Sequence, residues 1–296
     1  MARSPALLLA LLTACSSRPE PGALSITDDW GRTVALATPA RRIVSLSPSS
    51  TEILFAIGAG PRVVGRTAYC DWPPAARTVA SVGNGIEPSV EAVAARHPDL
   101  VVLYASEADR AALRGLTALG IPVAVLRLDR TADVARAARR LGRLTGRAAA
   151  ADSVVAALDD SLRAVAARVP ALARRPRVYV DVWASPPMTV GRGSYLSEVL
   201  AAAGALNSFG DLGASAATVS LEAVAARDPD AVLVLATDTL RPADLAARPG
   251  WDAVRAVREG RVLVVDGSLY GRPGPRMPLA AADRARRLAP LRAAAR

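Results

Sequence analysis

A short segment of this chain occurs twice, and the repeat constrains the fold more than any other feature. Residues 91–101 read EAVAARHPDLV and residues 222–232 read EAVAARDPDAV, so nine of the eleven positions are identical. In each copy a serine stands two residues before the glutamate (Ser89, Ser220), and an apolar run typical of a β-strand follows. A solenoid needs about three or more repeats. One pair therefore predicts two α/β lobes that share a helix–turn–strand unit.

Length and composition agree with two lobes. The 296 residues are enough for two domains with separate cores, and 51% of them are hydrophobic. The net charge is +10, but the arginines are scattered along the chain, which indicates a solvated basic surface and no nucleic-acid partner. The sequence contains no lysine. This excludes a Walker A phosphate loop and any Schiff-base lysine.

The first residues have the pattern of an export signal. Arg3 precedes a short apolar stretch at residues 6–12, which is far below the ~20 residues that span a bilayer. Residues 12–15 (LTAC) fit a bacterial lipobox, so we expect a signal peptide over residues 1–14 and lipidation of Cys15. Residues 15–24 then form a tether. The mature protein would be exported and attached to the membrane through its lipid anchor alone, leaving Cys70 without a disulfide partner.

Strand and helix patterns alternate along the rest of the chain, which predicts βαβ units and a mainly parallel sheet in each lobe. In the first lobe (residues 25–145) we expect a hairpin at 25–36, strands at 42–46, 63–64, 78–80, 100–104 and 123–128, and helices at 47–57, 89–96, 107–119 and 131–144. One long helix (within residues 146–170) connects the lobes. In the second lobe (residues 171–296) we expect strands at 177–183, 232–235 and 262–265, and helices at 194–203, 220–227, 251–258 and 277–295.

Four segments resemble one known family. Residues 42–52, 69–74, 89–101 and 272–276 are similar, in the family's order, to substrate-binding lipoproteins of bacterial ABC importers for vitamin B12 and ferric siderophores, and most similar to its vitamin B12 binders. The resemblance implies two Rossmann-like lobes joined by one long α-helix, with the ligand in the cleft between them. Where the B12 binders carry cleft tryptophans, this chain has Gly85 and Ala216.

The repeated glutamates, Glu91 and Glu222, each fall in the first turn of a predicted helix capped by serine. A carboxylate there complements the helix dipole, which is a sufficient structural reason for either one. In the resembling family, glutamates at matched positions on the two lobes pair with arginines of the two permease subunits. The resemblance therefore implies that Glu91 and Glu222 dock onto an ABC-importer permease dimer.

Aromatic residues make up only 4% of the chain, so their positions are informative. Ligands of open α/β sheets bind beyond the carboxyl ends of the strands, and five aromatic residues lie at or after the ends of predicted strands. We expect these five to line a pocket for a large, partly apolar ligand: Tyr69, Trp72, Tyr104, Trp183 and Tyr270. Arg272, in a proline-rich turn beside Tyr270, is the candidate hydrogen-bond donor to that ligand.

The sequence favours binding over catalysis. His97 is the only histidine, and the matched position of the second repeat is Asp228, so a turn position that accepts both residue types explains it. No side-chain metal site, no cofactor and no enzymatic activity are expected. An exported hydrolase is the alternative from another class, but we find no Gly-x-Ser-x-Gly motif. We expect a monomer that captures cobalamin, or a related corrinoid, for an ABC importer; a ferric siderophore or haem is the alternative ligand.

Overall fold

The computed structural model describes residues 24–85, 88–171, 174–236 and 240–294. The chain forms two α/β lobes, each containing a four-stranded parallel sheet, with one long helix between them in sequence. This confirms the predicted fold class. The signal peptide, Cys15 and nearly all of the predicted tether lie outside the described residues. Within those residues, no helix combines the length and the apolar character needed to cross a bilayer.

The first lobe carries a sheet whose strands lie in the order β4–β3–β5–β6, preceded by an antiparallel hairpin of β1 and β2. Its elements are β1 (Leu24–Thr27), β2 (Thr33–Leu36), β3 (Ile43–Ser45), α1 (Pro48–Ala56), β4 (Val63–Arg66), α2 (Val90–Ala94), β5 (Leu100–Tyr104), α3 (Arg110–Ala118), β6 (Val123–Leu126) and α4 (Thr131–Leu144), with 3₁₀ turns at Gly60–Arg62, Pro74–Thr78 and Glu107–Asp109.

The connecting helix is α5 (Ala148–Ala167), and the second lobe carries a sheet in the order β10–β7–β12–β13 plus a small antiparallel sheet, β11–β9–β8. Its elements are β7 (Arg177–Asp181), β8 (Trp183–Ala184), β9 (Pro187–Val190), α6 (Tyr195–Ala202), β10 (Leu206–Asn207), β11 (Ala216–Thr218), α7 (Leu221–Ala226), β12 (Ala231–Ala236), α8 (Pro242–Ala246), α9 (Arg255–Arg258), β13 (Val262–Asp266), α10 (Gly267–Tyr270), α11 (Met277–Arg287) and α12 (Ala289–Ala294), with a 3₁₀ turn at Trp251–Ala253.

The strand sequences explain the layering. Alternate residues of a strand point to opposite faces of its sheet. In β5, Leu100 and Val102 face a core built with α1, α4 and α5, whereas Val101 and Leu103 face a separate core with α2 and α3. The first of these cores continues through α5 into the second lobe, where it includes side chains of β7, α6 and α11. One apolar core therefore extends across both lobes.

The repeat has the same local geometry in both lobes. The hydroxyl of Ser89 accepts a hydrogen bond from the N–H of Ala92 at 3.1 Å, and Ser220 accepts one from Ala223 at 3.2 Å, so both serines are helix N-caps as predicted. The turn between helix and strand places His97 at φ 48° and the matched Asp228 at φ 42°, a left-handed conformation that is uncommon outside glycine.

Several predicted elements differ from the structure. Residues 78–80 were expected to form a strand, but Pro74–Thr78 is a 3₁₀ turn and only Ser81 forms a bridge to Arg66. In this segment the Arg66 guanidinium donates to the carbonyls of Arg77 and Val79, and the backbone of Arg66 pairs with Ala80 and Val82. The predicted helix at 251–258 is a 3₁₀ turn followed by α9, and the predicted terminal helix at 277–295 is divided into α11 and α12.

Candidate functional site

A cavity of about 300 Å³ lies between the two lobes. It is bounded from the first lobe by residues near the ends of β3, β5 and β6, and from the second by residues after β7, at the start of α6 and after α10. The lining includes Ser47, Ser49, Tyr104, Leu128, Asp129, Val182, Val190, Ser194, Tyr195, Leu196, Ser215, Ala216, Gly271 and Pro273. The cavity thus lies beyond the carboxyl ends of parallel strands, where open α/β sheets bind ligands.

The wall formed by the small sheet depends on a glycine. A Cβ atom at Gly191 would lie 2.4 Å from the carbonyl oxygens of both Leu212 and Ala214, which is too close for any side chain. Glycine at this position lets the 212–215 loop pack directly against the end of β9. That packing brings Ser215 and Ala216 to the cavity.

Tyr104 lies at the end of β5, as predicted, and lines the cavity. Its hydroxyl donates a short hydrogen bond to the carboxylate of Asp129. Burial and this neighbouring carboxylate both raise the pKa of Tyr104 above its ordinary value, so the phenol stays protonated at physiological pH. Tyr104 and Asp129 therefore act as a donor–acceptor pair in the cavity wall.

Two arginines of the second lobe are neutralised by carboxylates of the first lobe. Arg276 donates two hydrogen bonds to Glu52, of 2.8 and 2.5 Å, and Glu52 is almost completely buried. Arg272 forms a short ion pair with the more exposed Asp71. Burial raises the pKa of Glu52, and the two arginines oppose that effect. These ion pairs connect the lobes beside the cavity and compensate the charges of both arginines.

The other predicted ligand residues are placed differently. Tyr69, Trp72 and Trp183 are exposed by 55%, 40% and 63% and do not belong to the cavity lining. The Arg276 guanidinium stacks over the Trp72 ring at 4.7 Å, a cation–π contact that fixes this ring. Arg272 lies next to the lining residues Gly271 and Pro273. A ligand-binding role for these side chains stays a prediction.

Tyr270 is placed in the core and not in the cleft, contrary to the expectation for its side chain. It is only 2% exposed, its hydroxyl donates to Asp283, and its ring lies 4.6 Å from the buried guanidinium of Arg284. The physical reason is that the segment after β13 turns immediately into α10, which directs the ring inward. Only its backbone carbonyl serves the site, because it accepts a hydrogen bond from the Tyr195 hydroxyl at 2.6 Å.

Sequence reasoning missed the hydroxyl groups of the cavity. Ser47 and Ser49 follow β3 directly, so the strand-end rule applied to the aromatic residues would have indicated them too. Ser194 and Tyr195 lie at the start of α6, and Ser215 lies on a loop whose course the sequence did not predict. Asp71 and Glu52 could not be connected to Arg272 and Arg276 because these pairs are separated by 201 and 224 residues.

Glu91 and Glu222 are both exposed, in the first turns of α2 and α7. The pKa of each carboxyl is lowered by backbone N–H groups of its own helix end and by the capping serine. Both side chains therefore present a negative charge to solvent. This geometry suits a partner with positive charges, and docking remains a prediction. Among the described residues, no group of three or more metal-ligating side chains is present.

The chain matches the family model described as periplasmic binding protein over residues 43–269, and it therefore belongs to that family. It is 29% identical over 260 residues to the uncharacterized ABC transporter substrate-binding lipoprotein YvrC of Bacillus subtilis, covering 86% of this chain and 82% of that protein. It is 32% identical over 195 residues to the vitamin B12-binding protein of Salmonella typhimurium, covering 66% of this chain and 72% of the relative.

Solved structures agree on the fold. A periplasmic heme-binding protein from Pseudomonas aeruginosa superimposes with a TM-score of 0.76 at 28% identity, over 87% of this chain and 94% of that one. The chain thus shares its family and its fold with proteins that bind vitamin B12 and heme.

Proposed function

We propose that this protein captures cobalamin, or a related corrinoid, in the cleft between its lobes and delivers it to the permease of an ABC importer. The observation that carries the proposal is the polarity of the cavity. Its lining combines aliphatic side chains with serine and tyrosine hydroxyls, and its one carboxylate, Asp129, accepts from Tyr104. Such a surface suits a large, neutral ligand that bears amide groups.

The charges beside the cavity support a neutral ligand over an anionic one. Haem carries carboxylates, and catecholate and carboxylate siderophores form anionic ferric chelates; such groups require cationic partners on the protein. Two arginines beside the cavity, Arg272 and Arg276, already pair with Asp71 and Glu52. An anionic ligand would have to compete with these carboxylates, whereas an amide-bearing ligand needs only hydrogen bonds.

The second candidate ligand is haem, because of the structural likeness to a heme-binding protein and the phenol in the cavity wall. A tyrosine ligand of haem iron binds as phenolate. Deprotonation of Tyr104 is opposed by its burial and by Asp129, so iron would have to overcome the raised pKa of this phenol. A corrinoid, which needs no phenolate, fits the cavity better.

The size of the cavity also bears on the ligand. A volume of about 300 Å³ is at the lower limit for small-molecule sites, which range over ~300–1,000 Å³. A corrinoid would fill the cavity with one part of its structure and extend outward. The exposed rings of Tyr69, Trp72 and Trp183 then offer flat apolar surface to the remainder.

We place the mature protein outside the cytoplasm, as a monomer attached to the membrane by lipid on Cys15. Glu91 and Glu222 contact the two subunits of a permease dimer. An exported hydrolase is not favoured, because the only histidine, His97, lies in an exposed turn and is not part of the cavity lining.

Calorimetric titration of the mature, unacylated protein with cyanocobalamin, haemin and a ferric hydroxamate tests the ligand. We expect a 1:1 complex with cyanocobalamin at nanomolar to micromolar affinity, or about −8 to −12 kcal/mol. Tyr69→Ala and Trp183→Ala should weaken binding without lowering the thermal midpoint, since both side chains are exposed. Leu279→Ala on α11, exposed by 61%, is the matched control and should change neither property.

The titrations distinguish a wrong ligand assignment from a wrong function. A response to haemin or the ferric hydroxamate, with none to cyanocobalamin, would overturn the corrinoid assignment and leave a binding protein of the same family. No response to any of the three compounds would contradict ligand delivery itself.

A further inference from the structure

A second, larger groove lies outside the cleft, between the β1–β2 hairpin and α4. It has a volume of about 550 Å³ and is lined by Ser25, Ile26, Thr27, Thr33, Arg139, Arg140 and Arg143. Three guanidinium groups and three hydroxyls therefore border one groove. Arginine forks and hydroxyl donors are the groups that proteins use to bind phosphate oxygens.

The sequence of α4 places the arginines together. Residues three or four positions apart lie on the same face of a helix, so Arg139 and Arg140 both adjoin Arg143. Arg140 is 2.7 Å from Asp29, and Arg139 donates to Asp152 at 3.0 Å, a pair exposed on both sides. Within the part of the chain that the structure describes, Arg143 is exposed and has no ion-pair partner within 4.0 Å.

These carboxylates do not cancel the groove's attraction for anions. Asp29 also pairs with Arg136, one turn earlier on α4. Burial by itself raises the pKa of Asp29, but the hydrogen bond with Arg140 and the charges of Arg140 and Arg136 outweigh it, so the pKa is lowered and Asp29 stays charged. Exposed ion pairs such as Arg139–Asp152 stabilise a protein by only about 0–1 kcal/mol, so a phosphate can replace Asp152 as the partner of Arg139 at small cost. The groove therefore retains positive charge that a phosphate can use.

The position of the groove in the chain indicates where the phosphate comes from. Ser25 and Thr27 are in the first strand, β1, which begins nine residues after Cys15. Nine extended residues span at most about 30 Å. A lipid on Cys15 would therefore hold the groove near the membrane surface, and a basic patch beside a lipid anchor adds electrostatic attraction to anionic lipids.

The groove and the predicted docking glutamate belong to opposite sides of the first sheet. The helix α4 packs into the core that contains Leu100 and Val102, whereas α2, which carries Glu91, packs against the face with Val101 and Leu103. The groove also shares no residue with the cleft cavity. Contact between the groove and a membrane therefore leaves the ligand site and α2 free.

We propose that this groove binds the headgroups of anionic phospholipids and holds the anchored protein against the membrane surface while it is not docked. The contact supplements the lipid anchor. It depends on charge, so it weakens as ionic strength rises.

Co-sedimentation with lipid vesicles tests the proposal. The protein is the mature chain from residue 15 with Cys15→Ser, so that no acyl chain contributes to binding. We expect it to bind vesicles that contain phosphatidylglycerol and not vesicles of phosphatidylcholine alone. The double variant Arg139→Gln/Arg143→Gln should bind at least tenfold more weakly, since each basic residue near an anionic surface contributes about fivefold.

The matched control is Arg163→Gln/Arg241→Gln, which removes the same charge from two highly exposed arginines elsewhere. We expect it to bind vesicles within about threefold of the unmodified protein, and all three proteins to have the same thermal midpoint within a few degrees. An equal loss of vesicle affinity in both double variants would show that the attraction is diffuse and does not depend on the groove, and it would overturn the proposal. So would the absence of binding to phosphatidylglycerol vesicles.

Inorganic phosphate distinguishes the two sources of the ligand chemistry. We expect no saturable heat when inorganic phosphate is titrated into the protein. Saturable binding that Arg139→Gln/Arg143→Gln abolishes would identify a site for free phosphate, and the membrane assignment would be wrong. Cyanocobalamin plays no part in either measurement, so the result is independent of the proposed ligand.

Discussion

The two copies of the repeat follow the same backbone path but are held by different polar contacts. In the first copy, Arg42 donates to the backbone carbonyls of His97 and Arg96, and Asp99 accepts the N–H groups of Arg41 and Arg42. These contacts stabilise the left-handed turn largely through hydrogen bonds that involve the main chain. The turn residue His97 is held through its carbonyl group, which accepts a hydrogen bond from Arg42, and not through its side chain.

In the second copy the turn residue itself takes part in ion pairs. Asp228 accepts two hydrogen bonds from Arg255, of 2.7 and 3.0 Å, and Asp230 accepts the N–H of Arg177 and a bond from Arg174. The same left-handed turn can therefore be held by hydrogen bonds between side chains and the main chain, or by ion pairs between carboxylates and arginines. The stability of the ion-paired turn in the second copy depends more on salt and on pH, because both partners of each ion pair are charged.

The two copies should differ most in how much free energy of unfolding is lost when the aspartate before the repeated strand is removed. Asp230→Ala leaves the Arg177 N–H and the Arg174 guanidinium without their acceptor, and Asp230 is mostly buried, so we expect a loss of about 2–3 kcal/mol. Asp99→Ala removes two contacts in a more exposed place and should cost about 1–2 kcal/mol. Denaturant unfolding measures both free energies.

Asp159→Ala on α5 is the control for these variants, since it removes an exposed carboxylate and should change stability by less than about 0.5 kcal/mol. Equal losses for Asp99→Ala and Asp230→Ala would contradict the distinction between the two copies.

The glutamates of α2 and α7 should, in contrast, behave alike. Glu91→Arg or Glu222→Arg should each weaken association with the permease at least about tenfold, because a charge reversal places like charges at the interface. Affinity for the ligand should stay within about twofold, since neither side chain lines the cavity. Permease binding and ligand binding are measured separately on the same variants. Loss of both together would place these residues in the ligand site and contradict the docking proposal.

The smallest effect concerns the turn residues. His97→Gly relieves a left-handed conformation that costs the folded state about 1–2 kcal/mol. The glycine also gives the unfolded chain more conformational freedom, which lowers stability by about 0.4–1 kcal/mol. We therefore expect the free energy of unfolding to rise by about 0.5 kcal/mol. Asp228→Gly gains the same but loses the exposed pair with Arg255, so its net effect should be near zero.

The pH dependence of stability sharpens this last prediction. The bond to Arg255 lowers the pKa of Asp228 in the folded state. A depressed folded pKa gives stability that is present above the unfolded pKa and is lost as the pH falls through the folded pKa. The difference between His97→Gly and Asp228→Gly should therefore shrink on acidification. A difference that stays constant into strong acid would show that the pair does not stabilise the turn.

Local patterns predicted the fold well, because its elements depend on neighbouring residues. The strand at 100–104 and the helix at 131–144 have the predicted bounds, and the serine N-caps lie where the repeat placed them. The strand expected at 78–80 is absent, and the side chain of Arg66 on β4 donates to the carbonyl of Val79 there, a contact that the local pattern does not reveal. The small sheet of β8, β9 and β11 was missed because its strands are short and pair outside the main parallel sheet.

The site was predicted less completely, because its properties depend on contacts between the lobes. The position of Tyr104 at the end of β5 follows from the strand-end rule, but its pairing with Asp129 does not. Arg272 carries the predicted charge, yet Asp71 compensates that charge across the cleft. Tyr270 shows the limit most clearly, since one turn of helix decides whether its ring faces a ligand or the core.

The apolar core that extends from the first lobe through α5 into the second has a consequence for cooperativity. It contains Leu100 of the first sheet, Leu158 of the connecting helix and Val180 of the second sheet in a single cluster. Neither lobe can unfold without exposing apolar surface of the other, so the free energies of the two lobes are not separate quantities. A destabilising substitution in either lobe should lower one shared unfolding transition and leave no partly folded protein with a single intact lobe.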